Sequence, residues 1–459
     1  MKKLAVIKII RSACAGALGT LALQGCLWTS VYEQGQQPLE TQSIFSEDGS
    51  AVQHLVLEDL NKDGVLDVVA LLGPPKANGI SYMEPLAPGR RVMALAGDGQ
   101  GGFKSLFDLD VANVKPTNLG VWHPTNENTQ VAVYGTNAAG EGVVQLISVG
   151  GAQVDGVSSY NVGGTADRVS MRATNAGTGG SQQLVVGGTF GPSPNLTTGG
   201  NTNTGTTTSR GEIKVLDNPQ SDTFTTIGPL ELPGAGAYGA SSALAVADFN
   251  GDGRLDVVVA DETQGGVVVN VQQADGTFRA QAPVAWGIYD IPVQVITGDF
   301  NADQRTDVRV IFESCHDAYY QNDGEQLAEP SVFHTVMDPT LHAVIADLDG
   351  DNDQDMLLTG INGAVEVLLL DNQGKVEQQS ARRVVVADAP STVDEDASLP
   401  VRVAQNMAHK VGAAAKALGT HFSPVTGEVM AAGADINKDG KPDLLFGTND
   451  GKILLHLGN

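Results

Sequence analysis

Positive charge is scarce in this chain. Lysine and arginine together number 27 against 53 aspartates and glutamates, a formal net charge of −26 over 459 residues. No cluster of basic residues could follow a phosphate backbone, which excludes nucleic acid as a partner. Aromatic residues make up only 5% of the chain. There is no nucleophile elbow, phosphate-binding loop or histidine-rich metal motif. What is abundant is glycine, with 56 residues, beside an ordinary apolar share. That balance favours many short strands joined by tight turns over long helices.

Cysteine is also rare, and its three positions are informative. The N-terminal stretch "MKKLAVIKIIRSACAGALGTLALQGC" has a basic start (Lys2, Lys3, Lys8, Arg11), an apolar middle and small residues before Cys26. This is the plan of an export signal. Its ending, "LQGC", resembles the lipobox of bacterial lipoproteins, with Gln24 as the departure. The resemblance implies a signal peptide over 1–25, lipidation of Cys26 and a tether over 26–38. A plain secretory signal with an incidental cysteine is the alternative. Cys14 would leave with the signal, so Cys315 has no intrachain partner and no disulfide is available. Losing four positive charges takes the mature chain from −26 to about −30.

A repeat runs through the rest. "VLEDLNKDGVLDVVAL" (56–71), "AVADFNGDGRLDVVVAD" (245–261), "ITGDFNADQRTDVRVIF" (296–312), "VIADLDGDNDQDMLLTG" (344–360) and "AGADINKDGKPDLLFG" (432–447) share one plan. An apolar strand leads into D-x-[DN]-x-D-x-x-x-D, and a second apolar strand follows. Spacings of 51 and 48 residues separate the motifs at Asp248, Asp299 and Asp347. A period near fifty with short strands is the mark of a β-propeller blade. "LGVWHPTNENTQVAVYG" (119–135) and "VSMRATNAGTGGSQQLVVGG" (169–188) are eroded copies, the first with Trp122, Pro124 and Asn126 in place of acidic residues. The expected fold is therefore all-β, a seven-bladed β-propeller of four-stranded antiparallel blades. The last unit shows only three strands, and "LETQSIFSEDG" (39–49) would complete it from the N-terminal side. Six blades plus a small separate domain is the alternative.

Three or more carboxylates within nine residues repel unless a cation lies among them. Oxygen ligands at positions 1, 3, 5 and 9, with a backbone carbonyl near 7, suit a hard ion that takes six to eight oxygens. Calcium meets that need better than magnesium, and no histidine or cysteine favours zinc. Glycine at position 6 (Gly64, Gly253, Gly440) permits the positive φ that curls such a loop. The loop is not an EF-hand, because position 12 is Ala70 or Val259 instead of glutamate and the flanks are strands.

With these features the repeats resemble the FG-GAP or VCBS repeats of integrin α-chain N-terminal propellers and of many bacterial surface proteins. The resemblance spans nearly all of 39–459 and implies up to five Ca2+ ions. Its ligands fall on Asp59, Asn61, Asp63 and Asp67; on Asp248, Asn250, Asp252 and Asp256; and on Asp299, Asn301, Asp303 and Asp307. They fall likewise on Asp347, Asp349, Asp351 and Asp355, and on Asp435, Asn437, Asp439 and Asp443. Gln304 and Asn352 replace the glycine of position 6. Affinities of roughly 10⁻⁴–10⁻³ M are typical of exported calcium modules, which makes the metal a structural clip.

Strand order assigns the faces. The acidic loop joins strands 1 and 2 of a unit, so it shares a face with the turn between strands 3 and 4. Long insertions at 73–90, 188–211 and 385–425 map to the opposite face. Insertions gathered on one face of a repeat fold mark a binding surface. Drift at tolerant loop tips is the plainer account. Within the last insertion, 398–419 carries Val403, Met407, Val411, Ala414 and Leu418 at helical spacing, an inserted amphipathic helix.

No enzyme is expected. Cys315-His316-Asp317 are adjacent, whereas a nucleophile and its base come from separate segments. The sequence thus points to a lipid-anchored envelope protein, on the outer membrane, that binds a protein or glycan as an adhesion or assembly module. The alternative is a polysaccharide-binding or lyase-like propeller, with Arg90 and Arg91 as candidate cations for a uronate and Trp28, Trp122 and Trp286 as candidate stacking platforms.

Overall fold

The computed structural model describes residues 39–74, 91–175, 182–190, 210–216, 225–227, 241–387 and 422–458, apart from short breaks within them. The expected signal peptide and tether, the helix at 398–419 and most of the three insertions lie outside the described residues.

The chain enters with β1 (Leu39–Ser46), whose partners come from the far end. The first sheet is β2 (Ala51–Glu58), β3 (Asp67–Gly73), β4 (Arg91–Gly97) and β5 (Phe103–Asp110). The second is β6 (Lys115–Trp122), β7 (Thr129–Thr136), β8 (Gly142–Gly150) and β9 (Gln153–Asn161). The third is β10 (Ala166–Asn175), β11 (Gln182–Phe190), β12 (Arg210–Leu216) and β13 (Thr225–Ile227). The fourth is β14 (Ser241–Ala247), β15 (Asp256–Asp261), β16 (Gly266–Gln272) and β17 (Phe278–Ala280), with β18 (Val284–Ala285) also on β16. The fifth is β19 (Pro292–Gly298), β20 (Asp307–Phe312), β21 (His316–Tyr320) and β22 (Ser331–His334).

The sixth sheet is wider. It takes in β23 (His342–Ala346), β24 (Asp355–Thr359), β25 (Ala364–Leu370), β26 (Val376–Ala387) and β27 (Phe422–Pro424). It also takes in β28 (Val429–Ala434), β29 (Asp443–Thr448) and β30 (Lys452–His456), for nine strands with β1. The order is β23-β24-β25-β26-β1-β30-β29-β28, with β27 on β26.

Among the described residues the fold is thus an all-β propeller of four-stranded antiparallel blades, and the expectation of seven blades is corrected to six, the number in the alternative reading. The reason lies in β26, which runs for twelve residues and reaches β1 in parallel register, Leu39 opposite Val384. Two four-strand runs are thereby fused into one sheet. The strand from the N-terminal side does complete the last run: Gln42 faces Leu455 and Ser46 faces Lys452 in antiparallel register. The final strands belong to this sheet and not to a separate small domain.

Burial follows strand position. The second strands are sandwiched between neighbouring sheets and read as unbroken apolar runs, as strands covered on both faces do. Every residue of "DVVALLG", "DVRVIF" and "DLLFGT" in β3, β20 and β29 is buried. The outer strand β9, "QVDGVSSYN", is almost wholly exposed. Core clusters form between adjacent runs. One joins Leu71 and Val92 of the first sheet to Val131 and Ile147 of the second. Another joins Val68 and Met93 of the first sheet to Leu445 and Ile453 of the last, which seals the ring. Each such side chain contributes roughly 1.5–3 kcal/mol on burial.

Candidate functional site

Four of the acidic loops share one hydrogen-bond plan, built entirely from their own residues. In the first loop Asp59 accepts the N–H groups of Asp63 (3.1 Å) and Gly64 (2.9 Å). Asn61 Oδ1 accepts the same Asp63 N–H at 2.9 Å, and Asp63 accepts that of Val65 at 2.8 Å. The loops that start at Asp248, Asp299 and Asp435 repeat all four bonds at 2.8–3.1 Å. Short polar side chains that bond backbone two to five residues on are what bend a chain this tightly. Position 6 takes positive φ as expected, at Gly64 (79°) and Gly440 (85°), and Gln304 adopts it too at 67°. Position 4 also does so, at Lys62, Gly251, Ala302 and Lys438, which the sequence reading did not anticipate.

The ninth position has a second role. Asp67, Asp256, Asp307, Asp355 and Asp443 are fully buried. In each, one oxygen accepts an N–H from the third strand or its turn: Gly97, Gln272, Asn322, Leu370 and Gly458, at 2.8–3.0 Å. The other oxygen accepts the N–H of position 2, at Leu60, Phe249, Leu348 and Ile436. These bonds pin the acidic loop to the 3-to-4 side of its sheet, so the two share a face. Position 2 is an apolar anchor in all five loops, and Leu60, Phe300 and Ile436 are at most 2% exposed. Burial pushes the carboxyls of Asp67, Asp256, Asp307 and Asp355 above their ordinary range, against the pull of these backbone donors.

The loop at Asp347 is different. Oxygens of Asp347, Asp349 and Asp355 lie within 4.8 Å of one another, and among the described residues no other acidic or histidine trio gathers so closely. Beside them both carboxylate oxygens of Asp353 are sealed from solvent, receive no donor and lie against the Asp351 carboxyl. Burial, and then neighbouring Asp351, push the Asp353 carboxyl up to about 7. Carboxylates that converge from an exposed, a half-buried and a buried position are what a bound hard cation would satisfy. The donor set of this chain therefore fits calcium.

The eroded second unit lacks this construction. Its strand ends pair Trp122 with Gln130, where the first unit pairs Glu58 with Asp67, so the loop is one residue shorter. Trp122 is fully buried, in the core cluster with Tyr134, Leu146 and Leu184.

The three residues at 315–317 do not form a catalytic set. Cys315 lies outside the described residues. His316 turns to Asp290, 2.8 Å from Nδ1, and stacks near His334 with ring centroids 4.8 Å apart. Asp317, on the other face of the strand, is fully buried against Arg309. Arg309 also donates to the Gly374 carbonyl and lies over the rings of Phe300 (5.0 Å) and Tyr319 (4.8 Å). The signal for this pair was present, since Arg309 interrupts a strand whose counterparts are apolar.

The sequence reading also missed the caps of the 3-to-4 turns. Asp98, Asp323 and Asp371 each accept two backbone N–H groups there, and Asn137 does the same in the 2-to-3 turn of the second sheet. Arg91 is held by Glu47 at 2.7 Å and Asp108 at 2.6 Å. Trp122 and Trp286 are 0% and 3% exposed.

Residues 205–259 and 248–310 match the family model described as FG-GAP-like repeat. Both matches run past an acidic loop, at 248–256 and 299–307. No curated protein matches the chain. Among solved structures the chain is similar to two crystal structures of BBS1N in complex with ARL6DN. The one soaked with mercury has 12% identity and a TM-score of 0.50, covering 91% of this chain and 97% of that chain. The one soaked with lead has 13% identity and a TM-score of 0.49, covering 91% and 98%.

Proposed function

We propose that this FG-GAP-like repeat propeller is a binding or scaffold module, stabilised by calcium and tethered to the bacterial cell envelope. The observation that carries the reading is the five-fold acidic loop: one face of the disc is fixed by buried pins and by a ligand set suited to a hard cation. The first, third, fifth and ninth positions would hold calcium, whose charge offsets clustered carboxylates that are otherwise mutually repulsive. That leaves the opposite face, to which the sequence assigns the long insertions, to meet a partner. The similar structure with a TM-score of 0.50 is described as BBS1N in complex with ARL6DN. Only the general idea is borrowed from it, that such a disc presents a surface to another protein.

The polysaccharide reading has less support. Arg91 is already neutralised by two carboxylates, and Trp122 and Trp286 are buried in the core, where no sugar ring reaches them. Binding to a protein on the envelope is the better account, with Cys26 as the lipid anchor.

The test combines location and contact. Metabolic labelling with a palmitate analogue should mark the parent and not Cys26→Ser. Crosslinking on intact cells should capture a defined protein that is lost when 191–209 is replaced by a short Gly-Ser linker. Selective retention on a glycan array, together with unsaturated uronate products, would instead favour the polysaccharide reading.

A further inference from the structure

We infer that the side chain at the seventh position of each acidic loop sets the order in which the loops take up calcium, and that the Asp347 loop fills first. This rests on the calcium reading above, and it concerns differences between loops that a shared motif would not create.

The seventh position is Val65, Arg254, Arg305, Asp353 and Lys441 in chain order. In two loops it supplies a resident cation. Arg254 pairs through Nη2 with Asp252 while its Nε donates to the Gln272 carbonyl at 3.0 Å. Arg305 pairs with Asp303 at 2.7 Å while its Nε donates to the Asn322 carbonyl at 2.9 Å. Each guanidinium is thus tethered at both ends and already offsets the fifth-position carboxylate. A metal ion entering there must share that carboxylate or displace the arginine.

The third position adds to the contrast. Asn250, Asn301 and Asn437 each donate Nδ2–H to the fifth-position aspartate, at 2.8, 3.0 and 3.1 Å. Asp349 stands at that position in the remaining loop and has no such proton to give. The Asp347 loop therefore holds five aspartates in nine residues with no lysine or arginine among them. Its fifth carboxylate lacks both internal partners seen in the arginine loops. The carboxylate oxygens of Asp353, which receive no donor and lie against the Asp351 carboxyl, are an independent sign that something positive belongs there. Ligand charge count is a main determinant of calcium affinity in oxygen-ligand loops.

Calorimetric titration of the purified protein with calcium chloride tests this. The parent should show one tight step followed by weaker ones. Asp353→Asn should weaken the tight step by about tenfold or more and leave the others in place. Arg254→Gln with Arg305→Gln should tighten the weaker steps severalfold and leave the first unchanged. In chelator, Asp353→Asn should melt at or above the parent's temperature, because it removes repulsion. A lower melting temperature would assign Asp353 a structural role and overturn the inference. An unchanged tight step in Asp353→Asn, or equal affinities at all loops in the parent, would overturn the ranking alone. Failure to take up any calcium at millimolar levels would overturn the calcium reading with it.

Discussion

The ammonium of Lys438 lies 2.6 Å from the carbonyl oxygen of Gly64, a residue 374 positions earlier in the chain. This bond joins the last acidic loop to the first. Lys62 makes the next step around the disc, 2.7 Å from the carbonyl of Glu127. Both lysines sit at the fourth position of their loops, so the same positive-φ turn that curls the loop also aims a side chain at its neighbour.

Ring closure therefore has a weak and a strong component. The lysine bond is exposed, and a single bond of that kind contributes about 0.5–1.5 kcal/mol at most. The pairing of β1 with β30 and β26 covers two strand edges and keeps Thr41 at 3% exposure. Lys438→Met should shift the melting temperature only slightly. Deletion through Ser46 should lower it several times more and promote self-association through the bared edges. Thermal melts and light scattering of the two variants would decide, and equal shifts would contradict this division.

A second prediction concerns Arg309 and Asp317, both 0% exposed. Removing one partner leaves an uncompensated charge in the core, at about 3–5 kcal/mol, whereas replacing both with apolar residues costs far less. Arg309→Met and Asp317→Leu should each destabilise strongly. The double variant should recover most of the loss in denaturant melts. Additive single effects would show that the two side chains act independently.

How much of this could be read from residues alone depends on the range of the interaction concerned. The repeat, the all-β class and closure by 39–46 were legible because alternating acidic loops and apolar runs are local signals with a fixed period. The fusion of two runs into one sheet was not, because β26 meets β1 across more than three hundred residues of chain, and nothing in "ARRVVVA" announces a parallel partner. In the loops, residue types revealed the curl and the charge. The pinning by position 9 was hidden, because its donors at Gly97 or Asn322 are backbone groups brought in by the third strand.

That distinction between pin and ligand is itself testable. Asp256→Ala strands the N–H groups of Phe249 and Gln272 and should cost about 2–4 kcal/mol already in chelator, with a further loss in calcium because a ligand goes with the pin. Asp252→Ala removes a more exposed group of the same loop. It should cost little in chelator and reduce only the stabilisation that calcium adds. Melts of both variants in chelator and in calcium give four numbers. A calcium-dependent loss in Asp256→Ala with no loss in chelator would show that position 9 is a ligand and no pin.

The pH dependence should reverse with the metal. In the metal-free protein, burial raises the carboxyls of Asp67, Asp256, Asp307 and Asp355 above their unfolded value near 4, and Asp353 is pushed up to about 7. The folded state then binds more protons than the unfolded chain between the two pKa values. Its stabilisation is complete below the unfolded value and is lost as pH rises through the folded one. In chelator, stability should therefore fall between about pH 4 and pH 7. With calcium the same groups must be ionised to hold the ion, so protons compete and the calcium-dependent gain shrinks as pH falls. The two curves should converge in acid and separate toward neutrality. Melts from pH 4 to 8 in chelator and in excess calcium would check this, and a chelated protein that gained stability on the way to neutral pH would contradict the burial argument directly.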